Sequence, residues 1–183
     1  MASVLVPLAQ GCEELEAVTV IDLLRRAGVE VVAAGLEPGP VTAARGVVLV
    51  PDVTLDEALE RDYDMVVLPG GMPGADHLDN DPRIGGLLKK MAARERYVAA
   101  ICAAPKVLAN AGLLTGRRAT SFPGFVDRMD LPDVTCVTDP VVRDGTVITS
   151  RGPGTAMDFA LELIELLVDR ARRDEVEAAL QRP

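Results

Sequence analysis

The sequence predicts an α/β protein built as a three-layer, doubly wound, mostly parallel sheet. Three observations lead there. Short apolar runs alternate with segments of helical period along the chain, the pattern that successive βαβ units produce. The runs Val29 to Ala34, Met65 to Leu68 and Tyr97 to Ile101 are apolar almost throughout, as suits parallel strands covered on both faces. Finally, 183 residues, 49% of them apolar and 26% charged, are one domain's worth of chain with enough apolar side chain for a core. A single domain over residues 1–183 is expected.

Taken in order, Ser3 to Ala9 reads as a short buried strand. In Glu13 to Ala27, Ala17, Val20, Ile21 and Leu24 recur at i, i+3, i+4 and i+7, so this segment is a helix, which Gly28 stops. Val29 to Ala34 is the second strand. After a Pro/Gly-rich turn, Val47 to Val50 is an extra strand, and Leu55 to Leu59 is a short helix ahead of the strand Met65 to Leu68. Arg83 to Arg94 forms a helix, and Tyr97 to Ile101 a strand. A further helix begins just after Cys102, runs through Lys106 to Ala111 and ends at Gly112. Strand-like pieces follow at Arg118 to Ser121, Val134 to Val137 and Val147 to Thr149, with turns at Phe122-Pro123-Gly124 and Asp144-Gly145. Thr155, with Asp158 three residues on, forms a capping box that opens the helix Ala156 to Val168, and Glu175 to Leu180 is a short final helix. Right-handed crossovers put helices on both faces, and the ligand crevice lies outside the carboxyl ends of the strands.

Charge narrows the function. Lys+Arg 19 against Asp+Glu 28 gives a net charge of −9 and a pI near 4.6, with no basic cluster, so nucleic acid is not expected as a partner. The longest uncharged stretch, Met1 to Cys12, is well short of a membrane span. It lacks a basic start and runs into Glu13, Glu14 and Glu16, so neither a signal peptide nor lipidation at Cys12 is expected. Cysteines 12, 102 and 136 have no C-x-x-C spacing, which implies neither a disulfide framework nor a metal site. Reduced thiols in the cytoplasm are the expectation.

Two stretches carry chemistry. Met65 to Leu68 runs through Pro69 into Gly70-Gly71, whose amides, free of side-chain hindrance, suit either an anion nest or simply a tight turn. The spacing of Gly70, Gly71 and Gly74 is not that of a dinucleotide-binding loop, so no such cofactor is expected. Tyr97 to Pro105 is a strand, one cysteine between small residues, then a helix: the grammar of a nucleophile elbow. Cys102 would there sit in a strained turn at a helix N-terminus, which favours thiolate over thiol; a buried, inert cysteine is the plainer reading. The one histidine, His77, lies in the polar stretch Asp76 to Asn80 and reads better as a surface residue than as the partner of Cys102. Carboxylates remain. Glu13, Glu14 and Glu16 crowd the first turn of the first helix, where acids also merely complement the dipole; Glu16, at the margin of the apolar face, is placed to enter the crevice and keep a proton. Helical spacing alone does not separate it from Glu13.

Together, Glu13 to Val18, Leu68-Pro69-Gly70-Gly71, Ala99 to Pro105 and Thr149 to Thr155 resemble, in order and spacing, the ThiJ/PfpI superfamily. The likeness is closest to the branch containing the parkinsonism-associated protein and its bacterial relatives, and covers nearly the whole chain. It implies a flavodoxin-like fold, also described as class I glutamine amidotransferase-like, a homodimer, and no cofactor or metal. It implies a reactive elbow cysteine hydrogen-bonded to a protonated glutamate, here Cys102 and Glu16, with the amides of Gly71 and Ala103 binding the oxyanion. The implied activity is glyoxalase III chemistry, methylglyoxal to lactate, or deglycase action on glycated protein, with protection against oxidative stress through a readily oxidised cysteine. A redox sensor or chaperone-like stress protein using the same cysteine is the alternative, and a cysteine peptidase or amidase the weaker one.

The chain also departs from relatives. The superfamily's proteases carry histidine directly after the cysteine, where this chain has Ala103, and the parkinsonism-associated protein has histidine where this chain has Phe122. Arg26 and Arg45 match arginines near the family's dimer contact, though plain surface solubility explains them equally well. Cys12 is a candidate to pair with Cys102 under stress.

Overall fold

The computed structural model describes residues 1–182. In chain order the elements are β1 (Ser3–Leu8), α1 (Glu14–Arg26), β2 (Glu30–Gly35), β3 (Val41–Thr42), β4 (Val48–Leu49), β5 (Val53–Thr54), α2 (Leu55–Ala58) and β6 (Met65–Leu68). There follow α3 (Gly74–Asn80), α4 (Pro82–Ala93), β7 (Tyr97–Ile101), α5 (Pro105–Asn110), β8 (Arg118–Ala119), β9 (Thr135–Cys136), β10 (Val141–Asp144), β11 (Val147–Ser150), α6 (Ala156–Leu167) and α7 (Arg170–Ala179). Among the described residues a seven-stranded sheet runs in the order β10-β11-β7-β6-β1-β2-β5. Its pairings are parallel except for β10 against β11. The expected mostly parallel, doubly wound sheet is therefore the fold.

Side chains of a strand alternate between faces, and here both faces are covered. Val4 and Val6 of β1, Met65 and Val67 of β6, and Ala99 and Ile101 of β7 pack with α1 residues Ala17, Val20 and Leu24 and α6 residues Phe159 and Ile164. The residues between them, Leu5, Val66, Leu68, Val98 and Ala100, pack with Leu55 of α2, Ile84 and Leu88 of α4 and Leu108 of α5 on the other side. Each large apolar side chain so buried contributes roughly 1.5–3 kcal/mol. β1 lies between β2 and β6, and the order in which the chain adds strands reverses there from one half of the sheet to the other. The carboxyl ends of β1, β6 and β7 thus meet in one crevice.

Local differences from the sequence reading have physical causes. Val47 to Val50 contributes β4, which pairs with β3 as a separate antiparallel ribbon rather than joining the sheet; Val48 and Val50 remain exposed. β8 and β9 likewise form their own parallel ribbon. The helix after the elbow starts at Pro105, not just after Cys102, because Cys102 has φ +64°, which no right-handed helix accommodates. The capping box expected of Thr155 is absent: its hydroxyl donates back to the Gly152 carbonyl at 3.0 Å and accepts from the Gly152 amide at 3.1 Å. Asp76 to Asn80 belongs to α3, whose Gly, His, Asp and Asn are poor helix formers; fully buried Ala75 and Leu78 hold it against the core. The final helix is longer than expected, because Asp169 caps it by accepting the Arg172 amide at 2.7 Å. No helix among the described residues is long and apolar enough to cross a membrane.

Candidate active site

The elbow is built by backbone anchoring. At the end of β7, Cys102 donates its amide to the Ser150 carbonyl at 3.0 Å, and its own carbonyl accepts from the Phe122 amide at 2.8 Å. These bonds hold a cysteine in the left-handed region, a conformation that costs about 1–2 kcal/mol outside glycine. Its side chain faces the carboxyl end of β6. A Cβ on Gly70 would lie 2.6 Å from the Cys102 Cβ, 2.8 Å from the Ile101 carbonyl and 2.9 Å from Glu16 Oε2, so only glycine allows strand, cysteine and glutamate to converge. Gly71, at φ +85°, turns its amide toward the sulfur, and the amide of Ala103 also donates to it.

The three glutamates of the first helix separate here. Glu14 points away from the elbow, accepting the amides of Arg45 at 2.9 Å and Val47 at 3.4 Å, and so ties the β3-β4 ribbon to α1. Glu13 is half-buried, and its amide donates to the Gly70 carbonyl at 2.9 Å. Glu16 is 0% exposed. Its Oε2 accepts the Gly70 amide at 2.8 Å, its Oε1 has no well-aligned partner, and the thiol of Cys102 is the side chain that meets the carboxyl. What spacing alone left open, Glu13 or Glu16, burial decides.

Burial raises the Glu16 carboxyl to about 7, against the opposing pull of the Gly70 amide and the Cys102 thiol. The expected retention of a proton thus has its cause in desolvation. The expected lowering of Cys102 by a helix N-terminus does not hold. Burial first, then the charge of Glu16 and the hydrogen bond to it, push the thiol up to about 12, only partly offset by the amides of Gly71 and Ala103. The six-residue α5 begins too late to supply much dipole. The two groups are not anionic together near neutral pH: as pH rises through about 7 the pair passes from two protons to one, held on the sulfur unless Glu16 takes it.

The folded chain keeps the Glu16 proton to about 7 rather than 4.5, so it binds more protons than the unfolded chain between those values. The stability from that protonation is complete below the lower value and is lost as pH rises through the upper one. Thermal melts should therefore show Glu16→Gln gaining on wild type from about pH 5 to about pH 8; a constant difference would contradict the raised carboxyl.

The other sequence candidates lie elsewhere. His77 is exposed on α3 and lines a separate cavity with Gln10 and Arg83, of which Cys102 is not part. Cys12 is 0% exposed, its backbone packed against Gly71 and Gly74. Burial and neighbouring acids raise its thiol to about 11, and both it and Cys102 are free thiols. Arg26 pairs with Asp22 at 2.7 Å on the exposed side of α1. Among the described residues no three His, Cys, Asp or Glu side chains are grouped to hold a metal ion. Sequence reasoning assigned no part to Ser150, whose carbonyl anchors Cys102, or to the Lys106–Asp76 ion pair joining α5 to α3. A backbone carbonyl leaves no trace in residue identity, and the ion pair required knowing that α3 exists.

Fold and site define a doubly wound α/β protein with a cysteine elbow opposite a buried carboxyl. The chain matches the DJ-1/PfpI family over residues 2–166 and belongs to it. It is 41% identical over 180 residues to Protein DJ-1 homolog A of Arabidopsis thaliana, covering 97% of this chain but 46% of that protein, so it spans about half the length of that relative. It is 39% identical to the glutathione-independent glyoxalase DJR-1.2 of Caenorhabditis elegans, over 91% of this chain and 88% of that one. The crystal structure of Drosophila melanogaster DJ-1beta superposes with a TM-score of 0.94 at 41% identity, covering 98% of this chain and 97% of that one.

Proposed function

We propose that the chain works as one domain and as a cofactor-independent cysteine enzyme on small α-oxoaldehydes, turning methylglyoxal into lactate. The observation that carries the reading is the wholly buried Glu16 carboxyl meeting Cys102 at the elbow. The glyoxalase name of the Caenorhabditis relative supports the same substrate class.

In the proposed cycle Glu16 takes the Cys102 proton as sulfur adds to the aldehyde carbon, and the amides of Gly71 and Ala103 donate to the oxygen gaining charge. Glu16 returns the proton to that oxygen, giving a hemithioacetal. It next removes the hydrogen of the former aldehyde carbon as a proton and passes it to the ketone oxygen, forming an enediol, then takes the proton of the first carbon's hydroxyl and delivers it to the adjacent carbon. The first carbon is thereby oxidised and the second reduced, leaving a thioester. Water cleaves it to lactate and free thiol. At 8% exposure Cys102 admits a small aldehyde more readily than an adduct on a folded protein.

One observation favours a second reading, a redox sensor. Glu16 Oε1 has no well-aligned partner beside the Cys102 thiol, and a sulfinate formed at Cys102 by peroxide would supply one while accepting the Gly71 and Ala103 amides. Lactate assays separate the two. Wild type should form lactate and Cys102→Ser none; a wild type that gains two oxygens with peroxide yet forms no lactate would establish the sensor instead.

We also propose a homodimer. Exposed Leu15 and Val18 on α1, with Val47 and Val48 on the ribbon that Glu14 binds to it, present apolar side chains for a second copy.

A further inference from the structure

A cavity separate from the elbow opens at the carboxyl ends of β1 and β2, where Leu8 and Leu36 meet the start of α4. Its volume is about 560 Å³, within the range of small-molecule sites. Leu8, Leu36, Val41 and Pro82 make its walls largely apolar.

The cavity is preformed by polar groups whose bonding is already used. The Gln10 amide donates to the Pro40 carbonyl at 3.0 Å and accepts the Thr42 amide at 2.8 Å, fixing one wall. Arg83 fixes the other, donating to the Leu36 carbonyl at 2.9 Å and pairing with Asp81 at 2.6 Å, Asp56 at 2.9 Å and Glu37 at 3.5 Å. Three carboxylates against one guanidinium leave the mouth negative. Glu37 is the least committed of them, with its side chain 79% exposed. His77 and Asn80 line the same cavity and have no side-chain hydrogen bond or ion pair among the described residues.

We propose that this cavity binds a small organic monocation: an ammonium group on an aromatic or branched apolar body. The body lies against Leu8, Leu36 and Val41, the ammonium pairs with Glu37, and His77 and Asn80 offer it further hydrogen-bonding groups. An anion meets repulsion at the mouth, and a neutral isostere forgoes the ion pair.

Amide chemical-shift titrations with 2-phenylethylamine, 2-phenylethanol and phenylacetate test this. The amine should shift the Leu36, His77 and Asn80 resonances saturably and bind up to about fivefold tighter than the alcohol, with phenylacetate weakest. Glu37→Gln, at a position too exposed to unsettle the fold, should bring the amine's affinity down to that of the alcohol. Equal affinity of amine and alcohol for wild type, preference for phenylacetate, no saturable shift at these residues, or an unchanged amine affinity in Glu37→Gln would each overturn the proposal.

Discussion

Glu16→Gln is expected to lower turnover of methylglyoxal by about 10²–10⁴-fold, the usual worth of a positioned acid-base group, with the fold intact. Glutamine fills the same volume, and its amide oxygen can still accept the Gly70 amide that Oε2 now accepts at 2.8 Å. What it cannot do is take the Cys102 proton. In wild type the pair must hold one proton rather than two, so kcat/KM should rise with pH and level off through about 7, where Glu16 ionises. In the variant that limb disappears, and Cys102 must ionise unaided from a thiol that burial holds high. The pH profile therefore tells a proton carrier from a merely structural carboxyl. A loss below tenfold with the limb still near 7 would remove Glu16 from the mechanism.

Gly71→Ala is expected to lower Tm by roughly 5–15 °C. The added Cβ meets the Glu13 amide nitrogen at 2.3 Å and the Cys12 carbonyl carbon at 2.7 Å, backbone that cannot step aside while α1 stays docked. Overpacking of this kind costs about 1–3 kcal/mol, the left-handed φ another 1–2 kcal/mol or so, and each kcal/mol moves Tm by about 2–4 °C at this chain length. Gly28→Ala is the internal control. Its φ is +80°, but nothing lies within 4 Å of the place its added methyl would occupy, so it should show the backbone cost alone. Equal losses in calorimetry would mean that the close approach of Gly71 to the start of α1 contributes nothing.

Much of the architecture was legible because it depends on local periodicity. The spacing of Ala17, Val20 and Leu24 marks α1, and runs such as Val66 to Leu68 are apolar on both faces because both faces are covered. The elbow could be read because a nucleophile turn demands small neighbours, and Ala103 and Ala104 supply them. α3 was missed because its residues favour no helix by themselves and are held by Ala75 and Leu78 packing inward. Val47 to Val50 reads as an ordinary strand, since pairing partners cannot be inferred from an apolar run.

The residues by themselves determined an alternating α/β chain, its crevice edge and a cysteine at the strand-helix bend. Those are consequences of side-chain pattern within a few turns of backbone. Only the tertiary structure decided which glutamate lies against that cysteine and which way burial shifts the two groups. Glu13, Glu14 and Glu16 are chemically alike, and they differ only in what long-range packing places beside them: the Gly70 carbonyl beside the Glu13 amide, the Arg45 and Val47 amides for Glu14, and for Glu16 a dry contact with Gly70 and Cys102. Desolvation is a property of that enclosure, which is why the thiol is held up rather than down.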